Sequence, residues 1–133
     1  MLAWSSFFAV GGGAAAGAWI RWGLGAALNP LFPTLPLGTL AANLVGGLLM
    51  GLAMELTTRH AAIPVEIRLL VTTGFLGGLT TFSTFSGEIT TLLLRREWLW
   101  SFVGIVAHLA GSLLLTVAGI VLARALFVWG TSS

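Results

Sequence analysis

Charged residues are so thinly spread along this chain that they partition it. Uncharged stretches run over 1–20, 22–54, 69–87 and 98–123, each near or above the roughly 20 residues that cross a bilayer as a helix. The pattern predicts an all-α membrane protein with four transmembrane helices, at about 7–28, 37–56, 68–94 and 99–127. A proline-rich, uncharged turn, NPLFPTLP, joins the first two. The loop TTRHAAIPVEIR carries mixed charge before the third, RRE precedes the fourth, and Trp98, Trp100 and Trp129 suit the membrane interfaces. The third span is interrupted by GFLGGLTTFSTFSGE, residues 74–88, rich in glycines, hydroxyls and phenylalanines. Gly74, Gly77 and Gly78 followed by Thr80 and Thr81 sustain a helix poorly. A non-helical turn at this depth is tolerated only where protein or a cavity shelters it. A break that exposes carbonyls is therefore expected.

Composition supports a membrane setting and nothing besides. Of 133 residues, 57% are hydrophobic and only 8% charged, which is far from the usual range of soluble domains. No residues remain for a soluble module, so 1–133 reads as one transmembrane domain. The N-terminus lacks the Lys/Arg region of a signal peptide and is read as an uncleaved first helix. Without cysteine there is no disulfide, thiol chemistry or thiolate metal site. No nucleic-acid partner is expected.

The arginines bear on orientation. With four spans, Arg59, Arg68 and Arg124 share one side, while Arg95, Arg96 and, a turn inside the first span, Arg21 belong to the other. Three against three leaves almost no positive-inside bias. The same chain is then free to insert both ways round, and two opposite copies to pair as an antiparallel dimer. A single topology fixed by other cues is the alternative.

Small residues point to close packing. Gly13, Gly17, Arg21 and Gly25 recur every fourth position, as do Thr39, Asn43, Gly47 and Gly51. Membrane helices associate through such close-contact faces. Arg21 must snorkel or bond carbonyls inside the bundle, and a structural role is favoured. Asn43, near the middle of its helix, needs a partner, whether another helix or a polar ligand. Phe82 and Phe85 are separated by three residues and so point the same way, with Ser83, Thr84, Ser86 and Glu88 alongside. Ser101, His108, Ser112 and Thr116 form a stripe on the fourth span. Hydroxyls in membrane helices often only bond back to their own carbonyls, yet polar tracks on three spans strain that account.

What such tracks would conduct is limited by what they lack. The chain has no lysine or aspartate, and Glu88 is the only acid within reach of a pathway. A cation would want a deep carboxylate. Neutral amide and hydroxyl donors suit a small anion better, because conduction requires that binding compensate dehydration without trapping the ion. Phenylalanine edges, which carry partial positive charge, suit an anion too.

GTLAANLVGG and GFLGGLTTFSTFSGE, together with GGGAAAGAWIRW and HLAGSLLLT, resemble the Fluc (CrcB) fluoride channels of bacteria, over all four spans. The resemblance implies passive fluoride export through a dual-topology, antiparallel homodimer in the cell inner membrane, protecting the cell from fluoride toxicity. It implies a structural sodium ion at the dimer interface, held by the backbone carbonyls of Gly77 and Thr80. It further implies a fluoride pathway along Asn43, Phe82, Phe85, Ser112 and Thr116. Thr39, Thr81, Ser83, Thr84, Ser86, Glu88 and His108 are candidates for pathway or vestibule, and Arg21 for a structural or vestibule charge. Some members place a tyrosine where this chain has Gly104. A small dual-topology multidrug or cation exporter is the alternative, but residues 1–20 contain no carboxylate for it. No enzyme is expected: His108, one turn before Ser112, lacks an orienting partner and a nucleophile turn for hydrolysis.

Overall fold

A computed structural model describes residues 2–131, so the ends of the 1–133 unit, Met1, Ser132 and Ser133, lie outside the described residues. Four helical segments form an all-α bundle. Helix α1 is Trp4–Leu28, and a short turn at Asn29–Leu31 leads to α2, Leu37–Arg59. The third segment starts as α3 over 65–79: an α-helical start at Val65–Leu69, a π-helical stretch at Leu70–Leu76, and a last turn at Gly77–Leu79. It resumes as α4, Phe82–Leu94, and α5 is Trp98–Thr131. Among the described residues three helices are long and apolar enough to cross a membrane, Leu37–Arg59, Val65–Leu94 and Trp98–Gly130. The protein is thus a multi-pass membrane protein. The first expected span is helical and 25 residues long, but its glycines, tryptophans and Arg21 dilute its apolar character.

Backbone approach at small residues holds the bundle together. A Cβ added at Gly51 would strike the Thr116 carbonyl, one at Gly47 would lie 2.8 Å from the Ser112 carbonyl, and one at Gly119 would meet that of Leu48. Helices α2 and α5 therefore pack backbone against backbone, as membrane helices do when dispersion replaces hydrophobic expulsion. Between α1 and α3 the match is unequal. Gly13 faces the carbonyl of Leu70 and Gly17 that of Phe75, so four residues on α1 span five on α3. The wider π-helical turn supplies the extra residue.

The helix ends fix the bundle's two rims. Glu55 accepts from Arg59 Nε at 2.7 Å and from Arg124 Nε at 3.1 Å, and the Arg59 guanidinium lies 5.1 Å from the Phe127 ring. Arg59 and Arg124 thus share one rim. At the other, Phe32 meets Trp100 edge-on at 5.1 Å. There α4 ends in a tight turn: Arg96 takes a left-handed φ of 58°, Arg96 N–H reaches the Leu93 carbonyl, and Glu97 N–H that of Leu92. That double bond pattern is a Schellman closure, and it returns α5 along α4.

Candidate functional site

The break is built from two threonines. Thr80 (φ −86°, ψ 156°) and Thr81 (φ −151°, ψ 120°) are extended, which β-branched residues tolerate better than an α-helix that follows two glycines. Two of the amides that the helix loses find other acceptors. Thr81 N–H donates to Asn43 Oδ1 at 2.8 Å, and Asn43 Nδ2 donates back to the Thr81 carbonyl at 3.0 Å. Thr84 N–H donates to Thr81 Oγ1 at 3.1 Å, so Thr81 caps α4. Asn43 from α2 is therefore the brace that holds the third segment open.

These exchanges release particular carbonyls. A continuous helix would return Thr81 N–H to the Gly77 carbonyl and Thr84 N–H to that of Thr80. Both amides are engaged elsewhere. The Gly78 carbonyl, by contrast, accepts from Arg21 Nε at 3.0 Å. Arg21, itself half-buried, thus holds the break from the α1 side and does not line the cavity described next.

A cavity of about 430 Å³ lies beside the break, lined by Asn43, Phe82, Phe85, His108, Ser112 and Thr116 among others, with Gly77, Thr80 and Thr81 on its wall. No charged side chain lines it. The rings of Phe82 and Phe85 meet edge-on, centroids 5.4 Å apart, and Phe85 lies 4.6 Å from the His108 ring. Their surroundings differ sharply, Phe85 being 6% exposed and Phe82 70%. On α5, Thr116 Oγ1 donates to the carbonyls of Gly47 and Ser112, at 3.0 and 2.9 Å, while Ser112 Oγ lies 3.5 Å from the Asn43 carbonyl.

Nine of the residues singled out in the sequence therefore surround one space. Thr39 and Glu88 sit beyond it, Thr39 Oγ1 donating to Glu88 Oε1 at 2.6 Å. Ser83, Thr84 and Ser86 are exposed on α4. Ser101 leaves the stripe, bonding back to the Glu97 carbonyl at 2.9 Å. Gly47, from the same i+4 stripe as Asn43, also lines the cavity, which adds Gly46, Met50 and Thr72, marked by no sequence pattern. His108 does have an orienting partner: its Nδ1 lies 3.0 Å from Asn43 Nδ2. Two polar residues at mid-span on different helices were the available signal. At Gly104 an added Cβ would lie 2.6 Å from Ile89 Cδ1 and 3.1 Å from Leu35 Cδ1, so apolar side chains fill the place of a ring there.

The family described as CrcB-like protein, Camphor Resistance (CrcB), matches residues 8–120. The fluoride-specific ion channel FluC of Nitrosospira multiformis is 62% identical over 112 residues, covering 84% of this chain and 88% of its own. That of Thiobacillus denitrificans is 56% identical over 115 residues, covering 86% and 93%. That of Ralstonia pickettii is 59% identical over 113 residues, covering 85% and 90%.

Proposed function

The chain belongs to the CrcB family, and on that footing we propose that it is a fluoride-specific ion channel, not an enzyme, that lets fluoride leave the cell passively and so protects it. The observation that carries the reading is the cavity: amide, imidazole and hydroxyl groups beside two phenylalanines, with no formal charge on its wall. Neutral dipoles replace part of an anion's hydration without the grip of a full positive charge. Asn43, Phe82, Phe85, Ser112 and Thr116 form the pathway, and Thr39 and Glu88 belong to its approach.

The working unit in this reading is an antiparallel homodimer of a single transmembrane domain with four spans, in the inner membrane. Two features support it. Arg59 and Arg124 share one rim while Arg95 and Arg96 follow α4 at the other, which keeps the charge balance between the ends even. Phe82, Gly77 and the hydroxyls of Ser83, Thr84 and Ser86 are exposed on a single copy, and a second copy would cover them. A sodium ion fits the break, since the Gly77 and Thr80 carbonyls have lost their helix donors and a hard cation takes oxygen ligands. It would supply positive charge shared by carbonyls of both copies.

The test is efflux from liposomes holding the pure protein, comparing fluoride with chloride. Fast fluoride and negligible chloride release is expected. Equal release of both, or of neither, would refute the channel reading, and conduction by a strictly monomeric chain would refute the dimer.

A further inference from the structure

The bonds at the break also decide which donors remain for an anion, an inference that rests on the channel reading above. The orientation of the Asn43 amide is set by backbone, because Oδ1 accepts from Thr81 N–H and Nδ2 donates to the Thr81 carbonyl. Turned over, the amide would oppose oxygen to oxygen and N–H to N–H. Its second Nδ2 proton therefore goes to His108 Nδ1, 3.0 Å away. A ring nitrogen that accepts carries no proton, so the neutral imidazole keeps its proton on Nε2.

That Nε2–H is buried, and it makes no hydrogen bond to any described residue. Leaving a buried donor without an acceptor is unfavourable, and native structures seldom do so without a reason. His108 is 3% exposed and lines the cavity, with Nε2 itself covered, so an ion that bonds Nε2–H must displace the atoms over it. The rest of the track has fewer protons in reserve. Asn43 spends both of its amide protons on Thr81 and His108, and the Thr116 hydroxyl proton is committed to two carbonyls. Ser112, one turn from His108, has only a contact of 3.5 Å, long for a hydroxyl donor.

We propose that His108 is a fluoride-binding residue: a neutral imidazole, locked by Asn43 in the tautomer that presents Nε2–H, hydrogen-bonds the partly dehydrated ion in the cavity. Asn43 is then a positioning residue that acts through the ring as well as through the break. Phe85, stacked at 4.6 Å and tilted by 38°, holds the plane of the imidazole.

The experiment uses the full chain in lipid bilayers with histidine labelled at its ring nitrogens, in a His60→Gln background so that a single imidazole reports. Nitrogen NMR should show Nδ1 unprotonated and Nε2 protonated. Fluoride, and not chloride, should shift Nε2 saturably, and Asn43→Ala should give mixed tautomers. In efflux, His108→Phe keeps a flat ring without a donor and should slow fluoride about ten- to a hundredfold, the value of one hydrogen bond to a charged group. His108→Gln should recover part of that loss. A protonated Nδ1, an Nε2 signal unmoved by fluoride, or wild-type flux in His108→Phe overturns the assignment even where the parent conducts. A parent that shifts Nε2 with fluoride yet conducts none refutes the channel and leaves the binding residue standing.

Discussion

Asn43→Ala probes the brace directly. The substitution removes three hydrogen bonds, two to the Thr81 backbone and one to His108. At a net value of roughly 0.5 to 1.5 kcal/mol each, the loss is about 1.5 to 4.5 kcal/mol. Thr81 is only half-buried, so water can satisfy part of its backbone and the lower half of that range applies. The consequence for function is larger than for stability. With Oδ1 gone, Thr81 N–H is free to return to the Gly77 carbonyl, which lengthens the helix and withdraws that oxygen from a cation. Denaturant titration of purified protein should show the destabilisation, and dimer formation should lose its dependence on sodium. An Asn43→Ala protein within about 0.5 kcal/mol of wild type, with sodium-dependent assembly intact, would show that the break stands without its brace.

The two neighbouring glycines should part company. Gly78→Ala drives a Cβ into the Ala14 carbonyl and should cost about 1 to 3 kcal/mol of subunit stability, whereas a Cβ at Gly77 finds only Thr72 O at 3.9 Å. Gly77→Ala should leave the single subunit intact and weaken dimerisation, read by cross-linking in membranes; unchanged assembly would argue against Gly77 at the interface. Ser112→Ala should reduce fluoride efflux more than Thr116→Val, because the serine proton is the freer of the two; the reverse order would contradict that reading. Phe85→Ile should destabilise the fold by about 1 kcal/mol, since its ring packs with Ile89, Leu92 and Trp100, while Phe82→Ile should change only flux and assembly. Equal thermal stability losses for both would mean the two rings share one environment after all.

The elements that could be read from sequence are those governed by local chemistry. The glycine pairs and tandem threonines announced the interruption at 80–81, and the recurrence of Gly13 with Gly17 and of Gly47 with Gly51 announced close helix contacts. What escaped was the reallocation of hydrogen bonds across helices. Nothing near Asn43 in the chain indicates that its amide serves Thr81, 38 residues away, or His108, 65 residues away. Likewise the spacing of Phe82 and Phe85 places the rings side by side, but their unequal burial is set by which helices lie over each. The π-helical turn was invisible for a related reason, since its extra residue answers to the Gly13 and Gly17 face of α1 and not to any signal of its own.

The scarcity of donors on one copy is itself an argument about assembly. Moving an ion of carboxylate size from water to a medium like dry protein costs roughly 20 kcal/mol before any compensation. A charge-assisted hydrogen bond returns about 1.5 to 3 kcal/mol, and fluoride, being smaller, needs more such bonds. In this cavity only the His108 imidazole and the hydroxyls of Ser112 and Thr81, the last with contacts of 3.2 and 3.3 Å, hold protons that are not firmly committed elsewhere. Three donors fall well short, so water must follow the ion or further dipoles must arrive from outside the subunit. Phe82 lines the cavity of its own copy but is 70% exposed, and it and the hydroxyls of Ser83, Thr84 and Ser86 lie exposed at the start of α4, where a partner could reach them. In an antiparallel pair they are the dipoles available to the other copy, and the neutrality of the cavity wall then becomes a requirement: a formal charge there would remove the need for a partner and hold the ion in place.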